Sequence, residues 1–230
     1  MRCQVPGSPR PTPASPRDRF RSQMREEIKD AALRQLAEGG PAGVSVNAIG
    51  RELGVSGPAL YRYFRSRDAL LTELVIDAYE DLAAALRDAV SGRRAAPGAR
   101  LRALARAYRA WAIAHPHRYG LLFGPPLPGH DAHSERIVAA SDEAMAVLLA
   151  VLAETGEAGA GPAPGRRLAT GLRAWSRARG TDASPAVALR AVTAWARLHG
   201  HVALEIGGNF ASMGLDPDAL FEAELEGLVA

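Results

Sequence analysis

A chain of 230 residues that is 47% hydrophobic and 23% charged has enough apolar surface for a sizeable core, which excludes disorder throughout. The single cysteine, Cys3, excludes a disulfide framework and any CxxC zinc or redox site. The longest apolar run, residues 144–153, falls well short of the roughly 18–20 residues a membrane-spanning helix needs.

Aromatics make up only 6%, and the apolar stock is chiefly Ala, Leu and Val, so an all-α chain is expected. No apolar segment follows the N-terminal arginines, so a signal peptide is not expected and a soluble cytoplasmic protein is. The net charge of +3 is unevenly spread. Residues 1–70 hold 12 basic and 7 acidic side chains, while residues 71–230 hold 16 and 18. An anionic polymer, if one binds, meets the N-terminal third. All 28 basic residues but Lys29 are arginine, the residue suited to bidentate phosphate contacts.

Residues 1–21 read as a disordered basic arm, because Pro6, Pro9, Pro11, Pro13 and Pro16 suppress helix. A first helix starts near Ser22, with Met24, Ile28, Ala32 and Leu36 on one face, and stops at Gly39, Gly40 and Pro41. Ser45 is the expected N-cap of a short second helix with Val46, Ile49 and Leu53 as its apolar face. Gly54 makes the turn, and Ser56 is expected to cap a third short helix in which Leu60 and Phe64 are buried. Ser66 caps a long fourth helix. Further helices are expected at about 98–114, 116–123, 131–155, 166–179, 185–207 and 217–229, with Ser184-Pro185 and Asp216-Pro217 as start signals.

Two short helices joined by Gly-Val-Ser form a helix-turn-helix pattern. Pro58, Tyr61, Arg62 and Arg65 then lie on one stripe opposite Leu60 and Phe64, able to donate to phosphates and guanine edges in a major groove. Residues 22–75 resemble the DNA-binding domain of the TetR family of transcriptional regulators. The match runs through Ile28, Ala31, Ala32, Leu36, Glu38, Gly39, Val44, Ser45, Val46, Ile49, Leu53, Gly54, Val55, Ser56, Leu60, Tyr61, Tyr63, Phe64, Ser66, Leu70 and Leu71. This resemblance implies a DNA-binding domain over 22–68 and a ligand-binding and dimerisation domain over 69–230. It also implies roles by position. Ser45 offers hydroxyl and amide to a phosphate, and Asn47 faces the groove. Ser56 belongs to the same surface, Gly57, Pro58, Ala59 and Arg62 meet bases, and Tyr61, Tyr63 and Arg67 grip phosphates. Two departures stand out: Gly50 where the family usually has alanine, expected to loosen the second helix, and Arg67 where lysine is common.

The C-terminal part is similar to the WHG-type ligand-binding domain, through Trp111, His115, Pro116, His117, Arg118, Tyr119, Phe123, Trp195, His199 and Gly200. Large side chains among small ones leave room for a small apolar molecule. Tyr108, Trp111, His115, Tyr119, Phe123, Met145, Trp175, Trp195 and His199 are the pocket candidates, and each also suits a plain core. The face Val187, Ala191, Ala194, Leu198 and Val202 is expected to pair in a homodimer, with the 131–155 or the terminal helix as its companion.

Of the histidines, His115/His117 and His199/His201 are two apart and share no helix face, and His130/His133 sits beside a Pro/Gly loop, so no metal site and no cofactor is expected. No P-loop, GxSxG, HExxH or strand-linked GxGxxG motif is present, so no enzyme is expected. The expected function is a homodimeric repressor that binds a palindromic double-stranded operator and is released by a small apolar or aromatic effector. The alternatives are an activator, a ligand-independent regulator, or a helical carrier of small molecules.

Overall fold

The structure, a computed structural model, describes residues 15–92, 96–124, 134–154 and 163–229, and every regular element among them is an α-helix. The arm to residue 14, the His130/His133 pair and most of the two predicted Gly/Pro loops lie outside the described residues. The chain forms two compact units, Met1–Leu70 and Leu71–Ala230.

The N-terminal unit contains α1 (Pro16–Gly43), α2 (Val46–Glu52), α3 (Gly57–Leu60) and the first turn of α4 (Arg67–Val90). Helix α1 starts earlier than the sequence suggests: residues 16–21 are helical, where an irregular arm was expected. Pro16 takes a first-turn position, where its missing amide costs nothing, and Ser15 Oγ accepts the Asp18 amide at 3.2 Å. The regular helix breaks at Gly40, whose φ of 64° favours a residue without a side chain. Ile28, Ala31, Ala32 and Leu36 of α1 are buried, as are Val46 and Ile49 of α2 and Leu60, Phe64 and Leu70.

Capping is uneven. Ser45 and Ser66 accept the Ala48 and Ala69 amides at 3.3 and 3.0 Å. Ser56, expected to cap α3, makes no side-chain capping bond; only its carbonyl takes the Ala59 and Leu60 amides.

Gly50 does not loosen α2 but allows it to pack. A Cβ there would lie 2.9 Å from both Leu60 Cδ1 and the Val55 carbonyl oxygen, which accepts no such approach. The Val55 amide in turn donates to the Gly50 carbonyl at 2.8 Å.

Three arginines tie the unit together. Arg25 donates to the Tyr63 carbonyl at 2.7 Å and lies over the Phe64 ring at 4.3 Å. Arg34 pairs with Glu52 at 2.6 Å. Arg67 donates through Nε to the Val44 carbonyl at 2.9 Å and through Nη2 to the Pro41 carbonyl. Both carbonyls lie just past the Gly40 break; that of Pro41 also takes the Val44 amide at 3.4 Å, and Arg67 adds a second donor to it and serves the Val44 carbonyl.

The C-terminal unit holds the rest of α4, then α5 (Pro97–Ala114), α6 (Pro116–Phe123), α7 (Glu135–Ala153), α8 (Arg166–Ala178), α9 (Pro185–Ile206), α10 (Asn209–Ser212) and α11 (Pro217–Val229). The single turn α10, opened by left-handed Gly208, was not expected from the sequence. Helix α9 is central and packs against α5, α7, α8, α10 and α11. Its face of Val187, Ala188, Ala191, Ala194, Leu198 and Val202 is buried within the single chain. That corrects the expectation that this face pairs two protomers. Small side chains do let helices approach closely here, but the helices are intramolecular.

Ionic ties close the periphery. Arg109 grips Glu205 with two bonds of 2.7 and 2.6 Å, reaches Asp218 at 2.6 Å, and lies 4.8 Å from the Phe221 ring centre. It thereby fastens α5 to α9 and α11.

Two substitutions test the N-terminal unit by urea denaturation. Gly50→Ala gains about 1 kcal/mol of helix propensity but incurs an overpacking cost of about 1–3 kcal/mol, so the midpoint falls. Arg67→Ala removes both of its bonds to backbone carbonyls, leaving the Pro41 carbonyl with the Val44 amide alone, and lowers stability by about 1–2 kcal/mol. A raised midpoint for Gly50→Ala or an unchanged one for Arg67→Ala contradicts this packing.

Candidate nucleic-acid interface and interior cavity

Helix α3 is a single turn, but the chain keeps turning beyond it. Tyr61 retains helical angles, and the Arg62, Tyr63 and Phe64 amides bond to the Ala59, Leu60 and Leu60 carbonyls. Leu60 and Phe64 point into the core, while Pro58, Tyr61, Arg62 and Arg65 are exposed. Arg65 already lies in a bend past the helical turns. Asn47, exposed on α2, stands beside Gly57: its Oδ1 is 3.6 Å from where a Gly57 Cβ would be. Asn47, Ser56, Gly57, Pro58, Ala59, Tyr61 and Arg62 therefore gather at the start and outer side of α3.

The remaining expected contacts fare differently. The Ser45 amide donates to Gln35 Oε1 at 2.8 Å, so the hydroxyl alone is left to a ligand. Arg67 points its Nε and Nη2 donors at backbone carbonyls and its Nη1 at Asp68, 3.8 Å away. It acts as a pin within the unit, in contrast to the phosphate grip expected of it. Tyr63 is half-buried and lines a surface groove with Ala59, Arg62 and, from α1, Arg17, Phe20 and Arg21. Arg17, Arg21 and Arg62 have no acidic partner among the described residues. Phe20 is 60% exposed. The α1 residues of this groove were missed because the prolines around them read as an arm; Ser15-Pro16 was the available signal, of the kind that starts α9 and α11.

The C-terminal unit holds a partly open cavity of about 240 Å³. Its wall comprises Tyr79, Leu82 and Leu86 of α4, Leu104 and Tyr108 of α5, Phe123 of α6, Ser141, Ala144, Met145 and Leu148 of α7, Trp175 of α8, Arg179 just beyond it, and Trp195 and Leu198 of α9. Five of the nine expected pocket residues, Tyr108, Phe123, Met145, Trp175 and Trp195, are in this wall.

Four are not. Trp111 donates its indole N–H to Asp81 at 3.0 Å, and the same carboxylate oxygen receives Arg118 at 2.8 Å. His115 is half-exposed at the junction of α5 and α6, 5.8 Å from the Trp111 ring. The His199 ring lies between Trp195 at 5.4 Å and Tyr119 at 5.7 Å, both nearly parallel to it. The Tyr119 hydroxyl is 2.8 Å from His199 Nδ1. Trp195 faces the cavity, and His199 and Tyr119 stack behind it. Burial lowers the His199 pKa, which favours the neutral ring that can accept that hydroxyl.

The sequence reading missed Tyr79, Ser141 and Arg179. Tyr79, Leu82 and Leu86 share one face at i, i+3 and i+7, a legible signal; Arg179 lies at the very end of a predicted helix and had none. The wall holds few polar groups. Ser141 Oγ donates back to the Val138 carbonyl at 2.8 Å. Tyr108 Oη is 3.4 Å from His199 Nδ1. Arg179 pairs with Asp142, donates to the Trp175 carbonyl at 3.0 Å and lies 4.4 Å from the Trp175 ring centre. The Tyr79 hydroxyl has no hydrogen-bond partner among the described residues. Burial raises the pKa of both tyrosines, so both keep their protons. Among the described residues no three His, Cys, Asp or Glu side chains gather into a metal-binding set.

These two sites are consistent with known relatives. Residues 28–74 match the family described as bacterial regulatory proteins, tetR family, and residues 101–228 match the tetracyclin repressor-like C-terminal domain. The HTH-type transcriptional regulator Rv1816 of Mycobacterium tuberculosis is 33% identical, over 91% of this chain and 92% of its own length. The crystal structure of the regulatory protein SCO4313 superposes with a TM-score of 0.79 at 42% identity, covering 93% of this chain and 98% of that one. The TetR family transcriptional regulator PfmR of Thermus thermophilus shares the fold, at a TM-score of 0.60 and 18% identity over 88% and 96% of the two chains. With a helix-turn-helix head and a cavity-bearing helical body that both match, the chain belongs to the TetR family of transcriptional regulators.

Proposed function

We propose that this regulator is a repressor that binds a palindromic operator as a homodimer and leaves it when a small, largely apolar effector fills the C-terminal cavity. The observation that carries the DNA reading is the outer side of α3. Arg62 projects there from a turn anchored by Leu60 and Phe64, flanked by Arg17 and Arg21 without acidic partners among the described residues. Arg62 and Asn47 supply hydrogen bonds to base edges, Pro58 and Ala59 supply apolar contact to thymine methyls, and Arg17, Arg21, Tyr61 and the Ser45 hydroxyl reach phosphates.

One helical turn reads few base pairs, so two copies at half-sites one helical turn apart, or a multiple of it, are needed for a specific grip. Helices α8 and α9 pack together and leave Leu168 and Leu204 exposed at 50% and 46%, with the small residues Thr193 and Ala196 also outward. These outward faces are the proposed dimer surface, in place of the buried alanine face. Helix α4 carries both Arg67, which pins the head, and Tyr79, Leu82 and Leu86 of the cavity wall. An effector that binds more tightly when α4 is displaced thereby shifts the population away from the spacing that fits DNA.

Mobility shifts with fragments of the protein's own promoter region test this reading. Arg62→Ala weakens operator binding by about 10–100-fold and blurs sequence preference. Unchanged affinity and preference in that variant would overturn the assignment. The double variant Arg17→Ala, Arg21→Ala weakens all sequences alike and flattens the plot of log K against log salt by about two phosphates' worth. Leu204→Glu gives a monomer by light scattering and loses operator binding together with dimerisation; a dimer that persists places the interface elsewhere.

A further inference from the structure

The cavity wall is apolar and aromatic except at a few positions, and their hydrogen bonds determine which ligands fit. Resting on the effector reading above, we propose that the effector is a compact, neutral, largely aromatic molecule with one carbonyl-type acceptor, which accepts a hydrogen bond from the Tyr79 hydroxyl. The Arg179–Asp142 pair makes the same cavity reject anions.

Size comes first. A volume of about 240 Å³ is below the ~300–1,000 Å³ of sites for drug-sized ligands, so a molecule of one or two rings fits and a long chain does not. Phe123, Trp175 and Trp195 line the wall, and their rings favour a flat, polarisable partner.

Hydrogen bonding comes next. Tyr108 has His199 for a neighbour and Ser141 has the Val138 carbonyl, but the Tyr79 hydroxyl, though near enough to Tyr108 to act on it electrostatically, makes no hydrogen bond among the described residues. An apolar occupant would leave this hydroxyl dehydrated and unpaired, whereas an acceptor completes it. Sites built to bond a polar group discriminate strongly against analogues that lack it. Tyr79 retains its proton because burial raises its pKa, so it is available as a donor.

Charge decides the rest. Among the described residues Arg179 is the one charged residue in the wall, which makes an anion the obvious guess. Yet Asp142 already pairs with that guanidinium, and both side chains are mostly buried, at 14% and 24% exposed. A carboxylate added to this mostly buried pair would leave a net negative charge beside an apolar wall, an expensive arrangement. The pair therefore serves as a flat wall over Trp175, leaving recognition of the effector to Tyr79.

Calorimetric titration of the full-length protein with three matched probes tests the proposal: 1-tetralone, its apolar counterpart tetralin, and the anion tetralin-1-carboxylate. Wild type binds 1-tetralone at least about tenfold more tightly than either of the others. In Tyr79→Phe, the preference for 1-tetralone over tetralin shrinks to within about twofold while the helical circular dichroism is unchanged. In Asp142→Asn the site gains positive charge, and the carboxylate binds at least about tenfold more tightly than to wild type. The proposal is overturned if wild type prefers the carboxylate, if the ketone preference survives in Tyr79→Phe, or if Asp142→Asn brings no gain for the anion. Should none of the three probes bind wild type, the effector reading of the cavity fails along with it; binding in the wrong order overturns only the assignment of chemistry.

Discussion

Alanine at positions 188, 191 and 194 leaves nothing larger than a methyl group between α9 and the helices packed on that face, and Leu198 and Val202 continue the face to its far end. Five helices pack on α9, so this buried stripe sets the spacing of the C-terminal unit. Close packing on one side has a consequence on the other. Where Trp195 stands at the edge of that stripe with Leu198 beside it, large rings meet across a gap that alanines elsewhere do not allow, and the cavity lies there. The peripheral ion pairs, such as Arg109 with Glu205 and Asp218, fasten the outer ends of helices whose spacing α9 has already set.

In the N-terminal unit a different constraint operates. Its reading turn is too short to be stable alone, because a single helical turn fixes more dihedral angles than its bonds repay. Gly50 lets α2 sit against Leu60 and the Val55 carbonyl, Arg25 holds the Tyr63 carbonyl, and Arg67 holds the carbonyls that follow the break at Gly40. Arg67 braces the link between α1 and α2, and Gly50 and Arg25 support the turn from behind. The groups that face outward contribute little to holding it.

Much of this was legible in the sequence because it follows from local rules. Ser-Pro and Asp-Pro pairs located the starts of α9 and α11, and the spacing of Val46, Ile49, Leu60 and Phe64 located the helix-turn-helix. Failures came where one local pattern serves two ends. Residues 16–21 are almost wholly exposed, so no apolar period marked their helix among the prolines. An alanine stripe looks the same whether the neighbouring helix belongs to the same chain or to a second copy, and here it belongs to the same chain. Arg67 occupies a position where a phosphate contact was expected, but the Pro41 and Val44 carbonyls it serves come within its reach only in the fold, past the Gly40 break twenty-seven residues earlier. Composition found the aromatic neighbourhood of the cavity, yet only the fold separates Trp195, which faces the space, from Tyr119 and His199, which stand behind it.

The division of labour around α3 bears on how such a protein diversifies. Buried Gly50, Leu60 and Phe64, with the inward-reaching Arg25 and Arg67, carry the architecture, while Asn47, Pro58, Tyr61 and Arg62 lie on its outside and support almost none of it. With the DNA-reading role proposed for these outer positions, drift there would retarget the head to new promoters without first passing through an unfolded ancestor. Gene duplication followed by a handful of exposed substitutions would suffice to give two regulators with one scaffold and separate regulons.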